Sequence, residues 1–221
     1  MRTGGRAATF GLGDVVRAGV AIGLADLTVQ GVADALGVTT AAVYRHVPTR
    51  SALERLVGEA VLGELVLVDN PADAVVPHLV DFAGQLRSFI LARPGSAQYF
   101  MRLFPNGPSG VRLMEHQIAA LGRRGYEPAA AVVLSSSIAT IAIGATVAEQ
   151  ERAVAHLDTQ ATEEAWAAVA GSPVIRAAAA GIPPHTPEDY FVFMLTAAAH
   201  GLVAQFPAGR PVTLPAPGGD R

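Results

Sequence analysis

"GVTTAAVYRHVPTR", residues 37–50, sets Tyr44, Arg45 and His46 side by side in a chain otherwise dominated by alanine and valine. Gly37 supplies the left-handed residue that stops a preceding helix, Thr39 has the side chain of a helix cap, and Pro48 closes whatever follows it. The spacing predicts a short helix from about Thr40 to His46. At about 100° per residue, Val43 and Val47 lie together and face inward, whereas Ala41 and Arg45 point the opposite way, flanked by Tyr44 and His46. A helix this short has no second face on which to bury such groups, so it presents them to something outside.

Working outward, Asp26-Leu27-Thr28 reads as a turn with Thr28 as N-cap. A helix over Val29 to Leu36 follows, with Val32 and Leu36 on one face and Val38 dipping into the core. Small residues at Thr40, Ala41 and Ala42 let the next helix approach a surface closely, and Arg45 carries the fork that fits a guanine edge. Tyr44, His46, Arg50 and the amides at helix starts suit phosphates. Two helices joined through a glycine turn, the second exposing small and polar groups, match the helix-turn-helix layout for the major groove. A helical corner with solvated polar residues would show the same pattern.

The longer stretch "LTVQGVADALGVTTAAVYRHVPTRSAL" resembles the DNA-binding segment of the tetracycline-repressor (TetR) family. It shares the threonine cap, the small-residue helix crossing at Ala33, the Leu-Gly-Val turn, the Tyr-x-His ending and the basic residue two beyond the proline. The resemblance implies phosphate contacts from Thr28, Tyr44, His46 and Arg50, and base contacts from Gln30, Thr40, Ala41, Ala42 and Arg45; Thr39 joins them at the head of the reading helix. The first helix and its link to Thr28 are shorter than the family pattern. Arg2 and Arg6, in the arm ahead of it, are suited to a minor groove or to plain solvation.

Composition agrees with a helical body. Of 221 residues, 51% are hydrophobic but only 6% aromatic, so the core is built from Ala, Val, Leu and Ile, which favours helices packed through small side chains. There is no cysteine, which excludes disulfides and thiolate sites. All sixteen basic residues are arginine. The net charge of -3 divides into +1 over residues 1–60 and -4 over the rest, the direction expected of a DNA-reading head on an acidic body.

Helical periodicity runs nearly throughout, without sustained strand alternation. A helix begins after Thr49 and reaches about Val66. Further helices carry Val75, Leu79, Phe82, Leu86 and Phe89, then a short stretch before "FPNGPSG", then Val111 to Arg124. From Pro128 to Ala148 the chain carries no charge and is long enough to cross a bilayer. Its serines, its flanking glutamates and its isolation favour a buried soluble helix. The last helix opens at "HTPEDYF", with Thr186 as cap and Pro187 at the first position. The whole reads as all-α: an arm (1–9), a helix-turn-helix DNA-binding domain (10–48), a helical ligand-binding and dimerisation domain (49–206), and a disordered tail (207–221).

In the second half, "IAIGATVAEQERAV" and the stretch ending in "HGLVAQF" resemble the two helices that form the family's four-helix dimer interface. That implies dimer contacts from Ala139, Ile143, Gly144, Val147 and Ala148 on one helix, and from Phe193, Ala197, His200, Gly201 and Ala204 on the other; core helices of a monomer are the plain alternative. Duplication also has its own reason, because one reading helix covers only a few base pairs and palindromic half-sites need two. Phe82, Leu86, Phe89, Tyr99, Met101, Phe104, Met114, Gln117 and Trp166 are candidates for a mostly apolar effector pocket. Gln117 falls where the resemblance implies a tetracycline-contacting glutamine, but Met101 stands where the prototype has a metal-binding histidine, so a more apolar effector is expected.

The six histidines are scattered, with no HExxH, no GxSxG and no glycine-rich phosphate loop. The expectation is therefore a cytoplasmic, non-enzymatic homodimeric regulator without metal or cofactor, its partners an operator duplex and a small molecule. The competing possibility is a helical adaptor that binds protein instead of DNA.

Overall fold

The computed structural model describes residues 10–103, 107–155, 164, 167 and 170–213. Every regular element among them is a helix: α1 (Leu12–Ile22), α2 (Val29–Leu36), α3 (Thr40–Tyr44), α4 (Arg50–Gly63), α5 (Val75–Leu91), α6 (Ser96–Leu103), α7 (Pro108–Gly122), α8 (Pro128–Ala155), α9 (Pro173–Ala180) and α10 (Pro187–Gln205). The arm at 1–9, Phe104, Trp166 and the tail from 214 lie outside the described residues. The chain forms two compact units, one from residues up to 67 with 92–116, the other from 68–91 with 117 onward.

In the first unit, Val15, Val32, Ala33, Val43, Val47, Leu53 and Val57 are fully buried. Glycine sets the closeness of the packing. A side chain at Gly19 of α1 would run into Val57 of α4, and one at Gly58 of α4 would run into the ring of Tyr99 on α6. The Tyr99 hydroxyl donates to the Arg55 carbonyl at 3.3 Å, so the ring is held from both ends. Glu59 of α4 caps α7, its carboxylate accepting from the Ser109 amide at 2.6 Å at the positive end of that helix.

Two helix ends fall short of the sequence expectation. α3 stops at Tyr44, with His46 N–H donating back to the Val43 carbonyl three residues earlier. Pro48 disfavours helical geometry in the residue before it, so the last turn tightens. α4 ends at Gly63 and not near Val66; Leu65 and Leu67 are buried whereas Val66 and Val68 are exposed. That two-residue alternation marks extended chain, and the Leu-Val-Leu-Val run carries too little helical signal to tell the two apart. Val38 is only half-buried.

The second unit is built around α5, α8 and α10, each packed on the other two. Leu79, Ala83, Leu86 and Ile90 of α5, Ala131, Leu134, Ile138 and Ala142 of α8, and Phe191, Leu195 and Ala199 of α10 are buried in this three-helix core. Arg87 joins all three helices. It donates twice to Glu149 of α8, at 2.9 and 2.8 Å, and stacks over Phe191 of α10 at 5.3 Å. The span Pro128–Arg152 of α8 is long and apolar enough for a bilayer, yet half of its most apolar window is buried against its neighbours. The Thr186 cap expected for α10 is present, its Oγ1 accepting from the Asp189 amide, and the Asp189 carboxylate accepts from the Thr186 amide in return, closing a capping box.

Asp69 ties the connection before α5 to the end of α7. Its carboxylate, 4% exposed, accepts from Arg123 and from Arg124 Nη2 at 2.8 Å, and lies 3.0 Å from His78 Nδ1. Burial alone would push this carboxyl up; the two arginines overcome it and hold it at about 2. Burial, followed by the charge of Arg124, pushes the His78 imidazole down. Both His78 nitrogens are used, Nε2 bonding the Gln117 side chain at 3.0 Å.

Two stability measurements follow. Gly58→Ala forces Tyr99 off its seat, and urea unfolding is expected to show a loss of about 1–3 kcal/mol. Asp69→Asn is expected to cost about 2 kcal/mol at neutral pH. A depressed carboxyl stabilises above its unfolded value, so the gap between variant and parent closes as pH falls from about 4 to about 2.

Candidate nucleic-acid interface

Three threonines open three consecutive helices. Thr28 Oγ1 accepts from Gly31 N–H at 2.9 Å, Thr39 Oγ1 from Ala42 N–H at 3.2 Å, and Thr49 Oγ1 from Ala52 N–H at 3.0 Å. Each oxygen is occupied as an acceptor while its O–H remains a donor, the polarity a phosphate needs. No acidic residue sits in the first turn of α2 or α4, which leaves the positive ends of those helices unneutralised.

Gly37, at φ 66°, turns the chain between α2 and α3, and its N–H bonds back to the Ala33 and Asp34 carbonyls. Val43 and Val47 then sit completely buried beneath α3. Tyr44 is 46% exposed, and Ala41, Arg45 and His46 are exposed with it; Thr40 is half-buried. The exception is Ala42. It is buried, because a five-residue helix lying on α2 turns two adjacent positions, 42 and 43, towards the core. Its methyl group is therefore no base contact.

Gln30 is exposed but its amide donates to Asp34 at 2.6 Å, and Arg50 is exposed with its Nε 3.1 Å from Glu54. His46 is backed by Phe10, ring centroids 4.8 Å apart and edge-on. Phe10 went unnoticed in the sequence; its only signal is a lone aromatic one step ahead of the first helix.

The residues expected at a dimer surface divide. On α10, Phe193 (70% exposed), Ala197, His200, Gly201 and Ala204 form one outward stripe. On α8, Gly144, Val147 and Ala148 are half-buried, whereas Ala139 and Ile143 are buried within their own subunit. α5 and α10 grip α8 on that side, and its open face instead carries Val132, Ser136 and Thr140. A helix apolar on every side gives no periodicity from which to choose the register.

Of the expected pocket residues, Phe82, Leu86, Phe89 and Gln117 are buried in the second unit, where Gln117 bonds His78. In the sequence His78 is one more scattered histidine, and no spacing ties it to Asp69 or Gln117. Tyr99 is buried in the first unit, and Met114 is half-buried there. Met101 is 51% exposed, on the side of α6 away from the buried Ala97 and Phe100. Among the described residues, no three His, Cys, Asp or Glu side chains converge on a metal site.

Comparison with known proteins accords with this geometry. Residues 69–206 match the family model described as tetracyclin repressor-like, C-terminal domain. An HTH-type transcriptional regulator of Saccharopolyspora erythraea is 26% identical over 127 residues, 58% of this chain and 54% of that protein. The aligned segment thus spans about half the length of that relative. ActR from Streptomyces coelicolor in complex with actinorhodin superposes with a TM-score of 0.75 at 21% identity, covering 90% of this chain and 98% of ActR. TetR from Acinetobacter baumannii superposes at 0.62 and 21% identity, covering 90% and 99%. At such identities the structural likeness is one of fold, and with the match over residues 69–206 it follows that the chain belongs to the tetracycline repressor-like family.

Proposed function

We propose that the protein is a ligand-responsive, DNA-binding transcriptional regulator: a cytoplasmic homodimer that represses from a palindromic operator and is released by a small, largely apolar molecule. The observation that carries this is the polarity of α3, whose Val43 and the following Val47 are buried while Ala41, Tyr44, Arg45 and His46 face solvent. Arg45 supplies a base-reading fork, with Thr40 and Ala41 beside it. Tyr44, His46, Arg50 and the capping threonines Thr28 and Thr39 hold phosphates, and Gln30 reaches a base once Asp34 releases it.

Dimerisation uses the stripe Phe193, Ala197, His200, Gly201 and Ala204 of α10, with Gly144, Val147 and Ala148 beside it. The exposure of Phe193 supports this, because a ring so bare of intrachain contact suits an interface between copies. For the effector, Phe82, Leu86 and Phe89 of α5 with Gln117 supply an apolar wall and one polar group, in keeping with a small-molecule site. That ActR is solved with actinorhodin is consistent with an organic effector here. The effector acts by population shift, favouring an arrangement in which the two reading helices no longer fit the half-site spacing.

A duplex selected from random sequence by the protein provides the test. Tyr44→Ala with Arg45→Ala is expected to weaken binding of that duplex in a gel shift at least tenfold; unchanged binding would show that the reading surface is elsewhere. Gly201→Arg places a charge in the α10 stripe and is expected to give monomers in sedimentation, with loss of binding to the full palindrome. A parent protein that sediments as a monomer at micromolar concentration contradicts the dimer.

A further inference from the structure

We propose that Glu54 is a positioning residue for the DNA contact at Arg50: shared between Arg50 and Arg102 of α6, its carboxylate sets how freely the Arg50 guanidinium reaches a phosphate. The proposal rests on the DNA-reading function above and goes one step further, since it makes a residue of α6 a regulator of the grip.

Arg50 is the first residue of α4, directly after the Thr49 cap. A cation there opposes the helix dipole, and no acidic residue in the first turn offsets it. An arginine four residues before a glutamate is also the weaker order for a helical ion pair. Local helix physics therefore gives no reason for arginine at this position, whereas an anion arriving from outside gives one.

Without that anion, Glu54 takes its place. Its Oε1 is 3.1 Å from Arg50 Nε, and its Oε2 is 3.5 Å from Arg102 Nη2. The glutamate side chain is 21% exposed, against 67% for Arg50 and 64% for Arg102. The carboxylate is thus the fixed member and the two guanidinium groups are free to swing. Both border an open cleft of about 380 Å³, in which Glu54 is the sole acidic lining residue among those described. A phosphate at the start of α4 competes with Glu54 for Arg50. Arg102 draws on the same carboxylate from the far side and loosens its hold, so whatever moves α6 alters the phosphate contact.

Five proteins test this on the selected duplex across a salt series: parent, Glu54→Gln, Arg102→Ala, the double variant of these two, and Glu54→Ala as a second removal of the carboxylate. Glu54→Gln is expected to tighten binding about two- to fivefold. The plot of log affinity against log salt is expected to steepen by about one as Arg50 engages fully. Arg102→Ala loosens binding about twofold in the parent and has no effect once Glu54 is gone. Unchanged affinity and slope in both Glu54 variants overturns the proposal. So does equal loosening by Arg102→Ala in both backgrounds, which is long-range charge alone. A parent that binds no duplex overturns this inference together with the DNA-reading function; a parent that binds, with additive variants, overturns this inference only.

Discussion

Two valines under a five-residue helix govern how the first unit meets its surroundings. Val43 and Val47 have no solvent contact, so the orientation of α3 about its own axis is fixed by packing and not by its polar side chains. Once that rotation is set, Tyr44 and Arg45 can only point away from the core. α3 is too short to hold its shape alone, having a single full turn of hydrogen bonds, and depends on the Thr39 cap and the Gly37 turn for its entry. The exposed groups are thus precise because what lies beneath them is rigid.

The second unit solves a different problem. With few aromatics available, helices must approach closely to bury enough surface, and the alanines of α8 and α10, with Ala83 on α5, allow it. Close approach leaves no direction preferred on a helix as uniformly apolar as α8. Orientation comes from polar ties instead: the Arg87 fork onto Glu149, its stack on Phe191, and the Asp69 cluster at the other end of α5. A buried carboxylate holding two arginines and a histidine is costly to desolvate, and it gains by admitting few alternative geometries.

What sequence could disclose follows the same division. The caps at Thr28, Thr39, Thr49 and Thr186 and the stop at Gly37 were legible because each rests on a local rule involving a few neighbours. The outward set on α3 was legible for nearly the same reason, and Ala42 was missed because the tilt of α3 on α2 is a tertiary fact. Ala139 and Ile143 were misplaced where the pattern is uniform and only the neighbours α5 and α10 decide. His78 meets partners at Asp69 and Gln117, the latter 39 positions away along the chain, and no spacing rule reaches that far. The extended run at Leu65–Val68 shows the reverse limit, a stretch too short for either period to declare itself.

The bare α10 stripe ends in a matter of gene dosage. A lone subunit would carry Phe193 and its neighbours as a sticky strip, and in the dimer proposed above pairing would shelter it. While most copies are still unpaired, the paired form grows with the square of copy number. Occupancy of a control site would then rise more steeply than expression itself, giving a threshold that needs neither an added effector nor a second binding event on the chromosome.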